Sequence, residues 1–162
     1  MMGKEIEKKY VLHTYPTDLD IVETQEIHQT YLATSESETL RVRKLVINGQ
    51  EQFTMTHKAG KGLVREETEF DIGAGIYEQL IGKLEVTPLI KTRKKVKWND
   101  YHFDLDIYHN TVQKNLITIE IEFAEEADVE HFQKPDWFGE DVTGESQYVN
   151  SVLWEHIQSA AK

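Results

Sequence analysis

Thr39-Leu40-Arg41-Val42-Arg43-Lys44-Leu45-Val46-Ile47-Asn48-Gly49-Gln50-Glu51-Gln52-Phe53-Thr54-Met55-Thr56-His57-Lys58 is two alternating stretches joined by Asn-Gly. Asn48 and Gly49 tolerate the positive φ angles of a two-residue turn, so residues 39–46 fold back on residues 51–58 as an antiparallel hairpin. Successive side chains on a strand point to opposite faces, and residues two apart share a face at a spacing of roughly 6.5–7 Å. Arg41, Arg43, Thr54, Thr56 and Lys58 therefore take one face, and Leu40, Val42, Phe53 and Met55 the other.

The same punctuation extends outward in both directions. Ala59-Gly60-Lys61-Gly62 turns residues 52–58 onto residues 63–71, and Asn99-Asp100 divides residues 89–98 from 101–108. A polar stretch at 109–115 leads to residues 116–123, and residues 5–12 and 26–32 bring the count to eight strands. Helices are predicted at residues 76–84, at 125–133 before Pro135, and after a cap at Ser146 with apolar Val149, Val152, Leu153 and Ile157. With no internal repeat and no linker, this order predicts an α+β fold: an eight-stranded antiparallel β-barrel with helices packed outside.

Phase sorts the strands further. Ile6, Tyr10, Phe103, Leu105, Ile107, Ile119, Ile121 and Phe123 join the apolar face. The other face collects Glu5, Glu7, Lys9, Gln29, Tyr31, Arg65, Glu67, Glu69, Lys91, Arg93, Asp104, Asp106, Glu120 and Glu122. An open sheet with one wet face is the ordinary use of alternation. Arg41 with Arg43, Asp104 with Asp106, and Glu120 with Glu122 are like-charged neighbours, however, which repel unless counter-ions lie between them. Closing the sheet turns this face into a polar, charged lumen beneath an apolar exterior.

A chain of 162 residues with 39% hydrophobic and 10% aromatic residues is expected to form one domain, spanning residues 1–162. A net charge of −11 argues against a duplex nucleic-acid surface, so an anion would need a local basic pocket. The absence of cysteine removes disulfides and thiolate chemistry, and no apolar stretch has spanning length; a cytoplasmic protein away from the membrane is expected. Gly60-Lys61-Gly62 lacks the Walker spacing, the seven histidines form no His-Glu-x-x-His pattern, and the acidic run at 125–130 reads as a solvated helix face. Trp137-Phe138 is compatible with a homodimer interface, although packing of the loop on the barrel is the commoner use of such aromatics.

Carboxylates are hard ligands suited to Mg²⁺ or Mn²⁺, while Arg forks and Lys ammonium groups suit phosphate oxygens. Glu5, Glu7, Glu120 and Glu122, with Asp104 or Asp106, are the candidate metal ligands. Arg41, Arg43, Lys58, Arg65, Lys91 and Arg93 are the candidate phosphate-binding residues. Glu67 and Glu69 are assigned to pairing with neighbouring basic groups.

The ordered series Glu5-x-Glu7-x-Lys9, Gln29-Thr30-Tyr31-Leu32, Arg41-x-Arg43, Thr56-x-Lys58, Arg65-x-Glu67-x-Glu69, Lys91-Thr92-Arg93, Asp104-x-Asp106 and Glu120-x-Glu122 resembles the triphosphate tunnel metalloenzyme family, also called the CYTH superfamily. The likeness runs on through Trp137-Phe138-Gly139, Asp141-Val142-Thr143, Tyr148 and Asn150. It implies a tunnel fold and, from the Tyr-Leu on the second strand, metal-dependent hydrolysis of inorganic tripolyphosphate, with nucleoside triphosphates as poorer substrates. The resemblance also assigns Lys9 and Tyr31 to the reaction, as the pair that helps orient or deprotonate the attacking water. Two other functions use the same tunnel: an adenylyl cyclase converting ATP to cyclic AMP and pyrophosphate, and a polyphosphate-binding module without turnover.

Overall fold

A computed structural model describes residues 2–161. Its strands are β1 (Met2–Leu12), β2 (Asp20–Thr34), β3 (Glu38–Ile47), β4 (Gln50–Ala59), β5 (Val64–Asp71), β6 (Leu89–Trp98), β7 (Tyr101–Tyr108) and β8 (Ile117–Glu122). They close into a barrel in the order β1-β5-β4-β3-β2-β6-β7-β8, with β8 returning to β1 and every pair antiparallel. The helices are α1 (Ala74–Gly82), α2 (Glu126–His131) and α3 (Asn150–Ala160), with a 3₁₀ turn at Ser146–Tyr148. Among the described residues, no helix is long and apolar enough to cross a membrane.

The founding hairpin forms in the expected register. Arg41 faces Thr56 and Arg43 faces Thr54 across β3 and β4, and Asn48 and Gly49 turn the chain at φ of +51° and +77°. Strand β2 begins well before the predicted residue 26, because Asp20–Thr34 pairs with β6 through its polar first half. That half, Asp-Ile-Val-Glu-Thr-Gln, carries little apolar alternation from which a strand could be read.

The apolar phase forms the barrel's exterior core. Ile6, Tyr10, Phe103, Leu105, Ile119, Ile121 and Phe123 are buried there beneath Val129, Phe132, Trp137 and Phe138, contributed by α2 and the loop after it. The Phe138 ring lies 4.8 Å from that of Tyr10 and 5.2 Å from that of Phe103, so the aromatic pair is packed on the barrel. Gly139 follows because nothing larger fits: a Cβ there would stand 2.4 Å from the Val11 carbonyl oxygen. From that close approach the chain runs along β1, with Val11 N–H donating to Glu140 O and Val142 N–H to Lys9 O. It occupies the edge of β1 that β5, paired only as far as Ile6, leaves open.

The inward phase forms the polar, charged lumen over part of its length and turns apolar towards one end. Ile27, Leu45 and Leu89 continue the inward series of β2, β3 and β6 and are fully or almost fully buried. Val11, Leu89 and Tyr108 pack with Leu116, Val142, Leu153 and Ile157, so α3 and the residues before it close one end of the barrel with an apolar plug. Ser146 does not cap this helix. It opens the 3₁₀ turn, and Val149, extended at φ −73° and ψ 133°, breaks that turn from α3 and stands at its N-cap with no side-chain bond.

Candidate active site

The polar half of the lumen is a cavity of about 850 Å³. Antiparallel register gathers its acidic wall from three adjacent strands: Glu7 stands opposite Glu122, Lys9 opposite Glu120, and Glu120 opposite Asp104. The crowding is visible in the proton affinities. Burial, with Glu120 and Glu5 close by, pushes Glu7 up to about 8, and burial together with Glu5 and Asp104 raises Glu122. Burial would also raise Glu120, but Lys9, Arg93 and Lys91 outweigh it and hold this carboxyl well below the usual range.

The basic wall comes from β3, β4, β5 and β6. Lys58 Nζ sits 3.2 Å from Glu5 and 3.6 Å from Glu67, and Arg65 Nη2 donates to Glu7 at 2.7 Å and to Glu5 at 3.4 Å. Arg43 donates to Glu69 at 3.0 Å, as does the Thr56 hydroxyl at 2.7 Å, so Glu67 and Glu69 pair with basic groups as expected. Burial and the nearby Arg41 pull Lys58 down to about 8, and burial with Arg41 and Arg93 lowers Arg43. The Nε groups of Arg41 and Arg43 are buried with no hydrogen-bond partner. Unsatisfied buried donors are costly and uncommon, and these two lie on cavity-lining residues in an excess of positive charge.

Two predicted residues lie behind the wall instead of on it. Lys91 is 1% exposed and Asp106 0%, and neither lines the cavity. One Asp106 oxygen accepts from Lys91 Nζ at 2.9 Å and from Arg93 Nη2 at 2.9 Å, and the other accepts from Arg93 Nε at 2.8 Å. Burial opposes ionisation of Asp106, yet Arg93 and Lys91 hold it down at about 2. With both oxygens so engaged, Asp106 is an anchor for Arg93, which itself reaches the cavity and Asp104 at 3.3 Å.

Lys9 and Tyr31, assigned by resemblance, both line the cavity near the plugged end. Lys9 Nζ donates to the Tyr148 carbonyl at 2.7 Å and stands 3.8 Å from Glu120. The Tyr31 ring lies 5.7 Å from Trp154 of α3, and its hydroxyl oxygen accepts from Gln29 Nε2 at 2.6 Å. At the C-terminal end the sequence offered a likeness through Tyr148 and Asn150 but no role: Tyr148, Asn150 and Ser151 line the cavity, and Tyr108 donates to Asn150 Oδ1 at 2.7 Å. Lys95 was missed too, although it continues the inward series of Lys91 and Arg93.

The donor set fits a hard divalent cation. The carboxylates are crowded: burial, with Glu120 and Glu5 close by, raises Glu7 even though Arg65 donates to it, Glu120 Oε1 is buried without a hydrogen-bond partner among the described residues, and no ion pair among them engages Glu122. In this side-chain arrangement no three acidic or histidine groups among the described residues converge at metal-ligating positions. Glu5, Glu7 and Asp104 are instead paired with Lys58, Arg65, Arg93 and Lys95.

The sequence model of the CYTH domain matches residues 3–150. An inorganic triphosphatase of Nitrosomonas europaea is 36% identical over 152 residues, covering 92% of this chain and 95% of its own. An inorganic triphosphatase of Acetivibrio thermocellus is 31% identical over 153 residues, covering 94% of each chain. The solved structure of the inorganic triphosphatase NE1496 superposes with a TM-score of 0.64 at 32% identity, over 93% of both chains.

Proposed function

The chain belongs to the CYTH domain family, and from that premise we propose that it is a triphosphatase. It hydrolyses inorganic tripolyphosphate to orthophosphate and pyrophosphate with Mg²⁺ or Mn²⁺. One observation carries the reading: facing acidic and basic walls in a barrel closed at one end, with buried guanidinium N–H groups that have no partner among the described residues. The two inorganic triphosphatase relatives, alike over nearly the whole chain, support the same substrate.

Arg41, Arg43, Lys58, Arg65 and Arg93 grip the phosphate oxygens and neutralise charge as the terminal group departs, with Lys91 acting from behind through Asp106. Positioning and electrostatics of this kind supply most of the catalysis in phosphoryl transfer. Glu5, Glu7, Glu120, Glu122 and Asp104 would hold the cation, which would supply positive charge against the phosphate chain. A water attacks the terminal phosphorus in line, the bridging P–O bond opposite breaks, and pyrophosphate leaves. Lys9 and Tyr31 orient that water and the group it attacks. A low-dielectric pocket makes each of these contacts stronger than it would be in water.

Product analysis by phosphorus NMR tests the reading. Tripolyphosphate should give equal amounts of orthophosphate and pyrophosphate; cyclic AMP and pyrophosphate from ATP, with tripolyphosphate untouched, would make the protein a cyclase, and unchanged ligand would leave a binding module. Proton competition supplies a second test. Burial and the neighbouring Glu120 and Glu5 raise the proton affinity of Glu7, and a cation competes with any proton held in this carboxylate cluster, so apparent metal affinity should rise with pH. Calorimetry of Mg²⁺ binding at pH 7, in two buffers of different ionisation enthalpy, should show net proton release. No release would mean that the cation displaces no proton from the cluster of Glu5, Glu7 and Glu120.

A further inference from the structure

We propose that Gln29 is a positioning residue that fixes the Tyr31 hydroxyl as a hydrogen-bond donor into the cavity. The inference rests on the triphosphatase reading for its consequence, though its geometry does not. Gln29 is completely buried, two residues before Tyr31 on the inward face of β2, and lies between Arg43 of β3 and Leu89 of β6 in the register. It marks the level at which the charged lumen gives way to Ile27, Leu45 and Leu89. An apolar side chain would suit that level, since the Gln29 carbonyl oxygen is buried with no partner. What Gln29 does make is one short bond, from Nε2 to the Tyr31 hydroxyl oxygen at 2.6 Å.

The direction of that bond decides what Tyr31 can do. A phenol has one O–H to donate, and its hydrogen prefers the ring plane, pointing to one side or the other. With the Gln29 amide donating from one side, the phenol hydrogen must turn to the other, away from Gln29. No acceptor for it is found among the described residues, and Tyr31 lines the cavity. Trp154 against the ring and the bulge that follows Tyr31 in the β2–β3 ladder fix where the hydroxyl sits. The free O–H is thus held ready for an oxygen of the phosphate chain or for the attacking water, and Tyr31 enters the site as a donor. Had the amide carbonyl faced the phenol, the O–H would have been consumed by Gln29.

Exchange of amide for carboxylate tests this directly, because Gln29→Glu keeps the shape and reverses the bond. When ionised, opposite Arg43, the carboxylate can only accept, so it captures the phenol hydrogen. We expect kcat on tripolyphosphate to fall about 10- to 100-fold, with KM within about twofold of the unmodified protein, matching the loss of a preorganised donor. Gln29→Ala should fall less steeply. In a Tyr31→Phe background, Gln29→Glu should cost nothing further, since Gln29 acts only through the hydroxyl. Full kcat in Gln29→Glu, or losses that multiply in the double variant, would overturn the proposal. A readout without turnover separates this from the function reading: the Gln29 side-chain amide protons, followed by nitrogen-correlated NMR, should move upfield in Tyr31→Phe. If that resonance stays in place the proposal falls, whatever the substrate; if the protein does not hydrolyse tripolyphosphate at all, the function reading falls while the spectrum still decides the bond.

Discussion

Two pairs of cations flank β2, and the structure treats them in opposite ways. On one side, β3 carries Arg41 and Arg43, whose Nε groups are buried without partners among the described residues, and burial together with Arg41 and Arg93 lowers Arg43. On the other, β6 carries Lys91 and Arg93, which close three hydrogen bonds on Asp106, with Lys91 and Asp106 fully buried. In sequence the pairs look alike: two basic residues, two apart, on the inward phase. The second pair brings its own counter-ion and belongs to the barrel's stability, with only the far edge of Arg93 reaching the cavity. In the first, Glu69 meets Arg43 at 3.0 Å, yet the Nε groups of both arginines stay without a partner among the described residues, which leaves donors for a ligand from outside. A ligand site is recognised here less by which charges are present than by which are left unsatisfied.

The largest effect expected from this contrast is on stability at β6. Asp106→Ala leaves Lys91 buried beside Arg93 with no carboxylate, and should cost about 3–5 kcal/mol in chemical denaturation. A loss under about 1 kcal/mol would mean that the cluster is not what holds β6 to β7. Arg41→Ala should do the reverse. It removes a buried unsatisfied donor, so folding stability should stay within about 1 kcal/mol of the parent, while kcat/KM on tripolyphosphate falls about 100- to 1000-fold. Equal damage to stability in both variants would erase the distinction.

Acid titration probes the same cluster more gently. Asp106 is held at about 2 against an ordinary value of 3.8, so its contribution is fully present above that value and is lost as pH falls through 2. The shift corresponds to about 2 kcal/mol, and this part of the acid dependence should be missing in Asp106→Asn. The smallest effect belongs to the outer end of the ladder, where Lys95 meets Asp104 at 3.4 Å with its side chain 41% exposed. Lys95→Ala should change stability by less than about 0.5 kcal/mol, and a larger loss would mean that the β6 network extends further than Asp106.

Strand count, the founding hairpin and the charged phase were legible because alternation and turn chemistry are local. The Asn48-Gly49 turn and the split of Arg41 and Arg43 from Leu40 and Val42 need only neighbours in sequence. Asp106 could not be separated from Asp104 in that way. Both lie on one strand face, and only the depth at which β6 and β7 pair decides that one is entombed with Lys91 and Arg93 and the other borders the cavity. The plug was illegible for a related reason: Ile27, Leu45 and Leu89 share a phase with charged residues, and nothing local says that α3 closes the barrel at their level. Ser146 satisfied the rule for a helix cap, but extended Val149 placed the helix start further along. Lys9 and Tyr31 entered by resemblance; the bond from Gln29 to Tyr31 could be found only in three dimensions.

The most direct test of the account is the initial rate of orthophosphate release from tripolyphosphate. It is measured with Mg²⁺ and with excess chelator, for the unmodified protein, Arg41→Ala and Glu122→Ala. The account predicts rapid release that chelator abolishes and that both variants lose while remaining folded. Release that persists with chelator, or that survives both substitutions, would contradict it, because the reaction would then depend on neither the cations of β3 nor the carboxylates that face them.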